Sequence, residues 1–290
     1  MHSFLRAVGF SNIKSRKDED ELIAYVIENA NEKRIFAVNE DTAYVEMTFE
    51  FSERVGITLF GEYDENEKFH LEHYYPFLRG INETTREEVF ISKRVDTESY
   101  TGMCDDYKVG VSLIFYLQNV IDYMEMKKNG RGYSAAPVIM SALSTEGKIL
   151  FPVEKSEKQI KISNADNKHR SNLIAEARKG NQEAIENLTI QDIDLYSLIS
   201  KRAKNEDVYS IVDTSFVPYG SESDNYTILG EIKEVRSIKN SKSSEEMYGL
   251  VIECNQLTFE VCINKNDLLG EPEIGRRFKG NVWLQGKVEF

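Results

Sequence analysis

The sequence predicts an α+β protein, with an N-terminal mixed domain built on an antiparallel sheet, a helical connector and a C-terminal small β-barrel. Three strand-like runs lie between Tyr44 and Phe77 with only short turns between them. Residues 171–204 carry helical spacing and helix-capping side chains. From residue 226 to 290 the pattern changes to alternation, broken by a two-residue turn and by glycines. A chain of 290 residues also exceeds the usual size of one hydrophobic core. These signals divide the chain into 1–155, 156–220 and 221–290.

The first helix is expected over 17–29. Asp18, Glu19, Asp20 and Glu21 suit the positive end of its dipole, and Leu22, Tyr25, Val26 and Asn29 keep helical spacing. Residues 35–38 read as a short strand. Runs 44–51, 55–61 and 69–77 follow, with turns near 52–54 and 64–67, which is the pattern of an antiparallel meander. Residues 88–95 add another strand. The run 109–116 has few polar residues in its second alternating set, so it reads as a strand covered on both faces, although helical spacing is nearly as good through Leu113, Leu117, Val120, Ile121 and Met124. It passes into a helix through Met126 that closes at 127–130. Residues 137–143 and 148–153 flank Ser144, Thr145, Glu146 and Gly147, and read as a hairpin.

The polar stretch 156–170, with Ile160 and Ile162 its only large apolar residues, takes the main junction. Ser171 is expected to cap a helix 173–179 that Gly180 closes, and Asn181 to cap 182–188. Thr189 to Asp192 resembles a capping box opening a further helix, 190–204. Residues 205–219 are too apolar for a free linker, and Pro218, Tyr219 and Gly220 mark a turn.

In the last segment Ile228, Gly230 and Ile232 begin a strand, and Tyr248, Leu250, Ile252 and Cys254 line one face of the next. A turn at Asn255 and Gln256 returns Leu257, Phe259, Val261 and Ile263 on that face. It pairs 254 with 257, 252 with 259 and 250 with 261. Cys262 then falls opposite Gly249, on the other face from Cys254, which excludes a disulfide between them. A short helix is expected over 266–269, where five-stranded oligonucleotide/oligosaccharide-binding (OB-like) barrels often place one. Phe278, Gly280, Val282, Leu284, Gly286, Val288 and Phe290 share one face of the final strand. Trp283, the only tryptophan, lies on the other with Gln285.

Composition narrows the function classes. The chain is 41% hydrophobic and 29% charged, enough for real cores and not a disordered composition. Its net charge of −13 counts against nucleic acid and anionic membranes, because phosphate neutralisation supplies most duplex affinity. The first residues lack the order of a leader peptide, and the uncharged run 109–121 falls short of the roughly 20 apolar residues a membrane span needs. Cys104, Cys254 and Cys262 form an odd, scattered set and read as reduced thiols in a cytoplasmic protein.

Candidate chemistry is sparse. His70, Leu71, Glu72 and His73 come nearest to a metal motif, but on a strand His73 points away from His70 and Glu72, and no third ligand is evident. Asp192, Asp194, Asp207 and Asp213 read as helix-start, cap or turn residues before they read as acid–base groups. Cys104 lacks a local histidine, and no phosphate-loop, dinucleotide or nucleophile-elbow motif occurs. No catalytic residue, cofactor or metal is therefore assigned. The possible interaction surface comprises Trp283, Gln285, Arg276, Arg277 and Lys279. There the indole either stacks on a base or sugar or packs against the neighbouring domain. Residues 226–290 carry nine Lys/Arg against ten Asp/Glu, so this basic cluster is local.

Phe4-Leu5-Arg6-Ala7-Val8-Gly9-Phe10-Ser11, the run Gly180 to Leu188, the run Glu206 to Asp213 and the run Gly275 to Gly286 resemble an uncharacterised clostridial family of cytosolic proteins. The resemblance implies a bacterial cytosolic setting and no particular activity. The expectation is a non-enzymatic binding or scaffolding protein acting on an unidentified protein partner through the barrel and connector. The alternatives are an enzyme with its site at the domain junction, and a single-stranded nucleic-acid binder using the barrel.

Overall fold

The computed structural model describes residues 1–39, 42–64, 68–95, 97–106, 111–130, 132, 135–153, 169–170, 172–177, 179–220 and 223–290. A 3-10 turn, Ser3–Val8, precedes helix α1, Arg16–Asn29. Ser15 caps α1 by accepting from the Asp18 amide, and Asp18 answers by accepting from the Ser15 amide. Strands β1 (Glu32–Ala37), β2 (Ala43–Ser52), β3 (Val55–Tyr63) and β4 (Phe69–Leu78) form the expected antiparallel meander, in chain order.

A second, larger sheet begins with β5 (Val89–Lys93), β6 (Tyr100–Asp106) and β7 (Val111–Leu117), followed by helix α2, Val120–Lys128. Strand β8 runs unbroken from Val138 to Leu150. The hairpin expected there is thus corrected to a single strand. Gly147 is not a turn glycine: a Cβ on it would lie 2.5 Å from Cε2 of Phe278, so the ring of the neighbouring strand demands its absence. Helix α3, Gln182–Arg202, likewise replaces the two helices expected there. Asn181 caps it through the Ala184 amide, whereas Thr189 turns its hydroxyl back onto the Ile185 carbonyl at 2.8 Å and sits mid-helix. Asp192, read as a helix-start residue, pairs with Arg170 at 2.8 Å. The turn read at 64–67 and the polar junction at 156–170 lie largely outside the described residues.

A short helix α4 (Val208–Ile211) and strand β9 (Ser215–Pro218) lead into β10 (Asn225–Lys239), β11 (Glu246–Cys254), β12 (Leu257–Asn264), β13 (Leu268–Leu269) and β14 (Arg277–Val288). The hairpin β11–β12 has the anticipated register, Cys254 opposite Leu257 and Gly249 opposite Cys262, with Asn255 and Gln256 both at positive φ. Five strands close the barrel in the neighbour order β8, β12, β11, β10, β14 and back to β8. Strand β10 pairs with β14 through its first half and with β11 through its second, as the long first strand of an OB-like barrel does. Counted from β10, the closing strand is β8, which comes before α3 in the chain and lies parallel to β12. Strands β7, β6 and β5 continue outward from β14 as a wing.

Two cores result. One fills the barrel and the underside of the wing, with Phe278, Val282, Leu284, Leu250, Ile252 and Val261 at its centre. The other lies between the first sheet, α1, the 3-10 turn and the barrel's outer surface, where Ile238, Met247, Cys262, Leu143 and Trp283 are buried. Gly9 sits at φ 88° where a side chain would strike Asn240, whose amide donates to the Val8 carbonyl at 2.8 Å and fastens the 3-10 turn to the barrel.

A carboxyl group is sealed near that interface. Glu46 of β2 has its Oε2 buried without a hydrogen-bond partner. Burial pushes its pKa up to about 7, against the opposing pull of Arg34, which itself pairs with Asp122 at 2.6 Å. A raised carboxyl favours the fold fully below its unfolded value, 4.5, and that contribution is lost as pH rises through 7. The stability of Glu46→Gln relative to the parent should therefore grow by about 3 kcal/mol between roughly pH 4 and pH 8. Urea unfolding at the two pH values measures this, and a pH-independent difference would refute it.

Candidate ligand pocket at the sheet junction

Trp283 faces outward from the barrel yet is only 5% exposed, because β4, the 3-10 turn and β7 close around it. Its Nε1–H donates to Oδ2 of Asp224 at 2.8 Å, and the Asp224 carbonyl accepts the Leu284 amide at 2.8 Å. Asp224, immediately before β10, also receives Arg94 from the end of β5, and Arg94 Nε donates to the Thr101 hydroxyl at 3.0 Å. Tyr116 packs 5.1 Å from the indole, His2 4.9 Å and Phe4 5.4 Å, centroid to centroid. These groups surround a cavity of about 320 Å³. A further hollow of about 710 Å³ shares His2, His73 and Tyr74 with it and opens towards α1.

The electrostatics of the cavity are close to neutral. Burial lowers His2 and His73 to about 4, so both rings are uncharged at pH 7. The N-terminal ammonium adds to the effect at His2 and Arg94 adds to it at His73, against opposing pulls from Glu19 and Glu98. Burial also holds the Tyr116 phenol well above its ordinary value. His73 Nε2 shares a 3.0 Å hydrogen bond with the Tyr116 hydroxyl, while its Nδ1 is sealed without a partner. Arg94 and Asp224 supply one charge of each sign, Arg94 being the more open, at 42% side-chain exposure against 6%. The site can receive a flat ring, offer it hydrogen bonds from uncharged groups, and meet one negative charge at the rim.

The five residues of the expected interaction surface separate into two places. Trp283 and Gln285 turn towards the first sheet. Gln285 is fully buried, donating to the Pro76 carbonyl at 2.8 Å and accepting from the Gln118 amide at 2.9 Å. Arg276 pairs with Glu273 at 2.8 Å and lies 5.7 Å from the Phe151 ring. Arg277 is 6% exposed and donates to the carbonyls of Phe151, Val212 and Tyr209 at 2.9, 2.8 and 2.7 Å. Lys279 stands 4.5 Å from the Tyr209 ring. His70 and His73 also part company. His70 bonds Asp64 at 2.8 Å and His73 turns inward, and no metal-holding cluster occurs among the described residues. Burial pushes Cys104, Cys254 and Cys262 up to about 12, which removes them as nucleophiles at neutral pH. His2, Phe4, Arg94, Tyr116 and Asp224 carry no shared spacing in the sequence, and only the topology gathers them.

Fold and site together define an α+β protein with a closed five-stranded barrel and an aromatic pocket of balanced charge where the barrel meets a meander sheet. Residues 5–286 match the family described as "Domain of unknown function, E. rectale Gene description (DUF3881)", and the chain belongs to that family. Neither a curated protein nor a solved structure matches it. Among the described residues no helix is long and apolar enough to cross a membrane.

Proposed function

We propose that this protein works by binding and that the junction pocket takes a planar heteroaromatic small molecule, uncharged or singly anionic. The observation that carries this is the placing of Trp283. Its indole N–H is held by Asp224 while its neighbours His2, Phe4 and Tyr116 line the same cavity. Stacking of a ring on aromatic side chains contributes about 1–3 kcal/mol, and about 320 Å³ is near the lower size of pockets that hold small ligands. Arg94 suits a carboxylate or similar group on the ligand. Binding is favoured over proton transfer because His73 offers no free nitrogen: one is bonded to Tyr116 and the other is sealed. The single-stranded nucleic-acid reading loses much of its usual surface, since the 3-10 turn and first sheet cover the outer face of β12 and the Met247 end of β11.

The sole tryptophan is a built-in reporter. A heteroaromatic fragment library that includes adenosine, guanosine and nicotinic acid is expected to yield compounds that change Trp283 emission saturably. Arg94→Gln should weaken the anionic members of that set about tenfold or more. A library in which no compound perturbs the emission would sink the reading.

A further inference from the structure

The outer face of the barrel carries cations that no carboxylate among the described residues pairs. Arg277 and Lys279 alternate with the inward-facing Phe278 and Gly280 on β14, and Lys148 of β8 stands directly opposite Lys279 in the antiparallel register. Like charges facing each other across two strands are destabilising. Elsewhere on the barrel Arg236, Lys265 and Arg276 each have a carboxylate, but among the described residues none forms an ion pair with Arg277, Lys148 or Lys279. The Arg277 guanidinium is committed to backbone carbonyls. Both lysines instead approach the ring of Tyr209, at 5.1 and 4.5 Å, and Lys279 also donates to its hydroxyl. That contact holds the Tyr209 phenol below its usual range.

This pair borders a cavity of about 520 Å³. Thr227, Asn281, Tyr219 and Leu269 form other parts of its wall, and its single carboxylate, Glu146, accepts from the Asn281 amide. The chain is otherwise strongly acidic, at a net charge of −13, and the one carboxylate of this wall is turned to Asn281, so two adjacent ammonium groups that no described carboxylate pairs mark a place where an anion from outside would be stabilised. Lysine meets phosphate as a point charge, and two such charges suit its spread of oxygens.

We infer that Lys148 and Lys279 form an oxyanion site for a phosphoryl group, with any organic body of the ligand lying along Tyr219 and Leu269. The site is independent of the junction pocket, about 13 Å farther along β14 from Trp283.

Calorimetric titration of the full chain with inorganic phosphate and with ribose 5-phosphate tests this. Saturable binding is expected, weakened about tenfold or more by Lys148→Gln or Lys279→Gln and abolished by the double substitution, with Lys279→Arg retaining it. Tighter binding of ribose 5-phosphate assigns a phosphomonoester, and equal binding assigns free phosphate. Trp283 emission stays unchanged in both titrations, which separates this site from the heteroaromatic one. Lys148 forms no side-chain hydrogen bond among the described residues, so Lys148→Gln carries the test if Lys279→Gln lowers the unfolding midpoint. Absence of binding to the parent, or equal binding by the double variant, overturns the inference.

Discussion

Glu260→Ala is expected to lower the unfolding free energy by about 3–5 kcal/mol. Glu260 stands on β12 at 8% exposure and faces two guanidinium groups. Arg54, from the turn between β2 and β3, donates to both of its oxygens, and Arg236 of β10 donates to Oε1 at 2.7 Å. Arg54 also donates to the Arg79 carbonyl at 2.7 Å, so the cluster ties the meander sheet to the barrel. Removing the carboxylate leaves Arg54 with that carbonyl alone and Arg236 with only the distant Glu53, 3.9 Å away. An unpaired charge in a nearly closed site is far costlier than the pair is beneficial. Urea unfolding followed by circular dichroism reads the change. A loss below about 1 kcal/mol would mean that both arginines swing out to water and that the cluster does not join the two sheets.

Trp283→Ala should cost a similar amount, about 3–5 kcal/mol, through the cavity it leaves between Tyr116, Phe4 and His2. Trp283→Phe keeps most of that volume but withdraws the donor from Asp224, which retains Arg94, and should cost about 1–2 kcal/mol. Neither variant has a tryptophan, so circular dichroism must report the unfolding. Equal losses for the two would place the energy in the indole hydrogen bond and leave little to packing. That result would contradict the view of Trp283 as the filler of this junction.

Part of this architecture was legible in the residues. The meander of β2, β3 and β4 followed from apolar runs with short polar turns, and the register of β11 with β12 followed from one two-residue turn. The opposite burial of Cys254 and Cys262 came from the period of two alone. Strand β6 was not anticipated, since Gly102, Cys104 and Asp106 are buried without a strong apolar alternation. The candidate pocket was legible only as Trp283 and His73. Its other walls include residues 2, 4, 94, 116 and 224, which share no motif.

What the sequence determined by itself was local: which side chains of each strand share a face, where the hairpin turns, and that Trp283 points away from the barrel interior. Those facts depend on a backbone period and on neighbouring residues. Only the tertiary structure decided that β8 is one strand and that it closes the barrel against β12 and β14. A polar Ser-Thr-Glu-Gly run looks like a turn until the Phe278 ring is known to occupy the space beside Gly147. Partners more than 100 residues apart leave no periodicity behind. Burial of Trp283, the neutral histidines beside it and the unmatched lysines of the outer face all follow from that long-range closure.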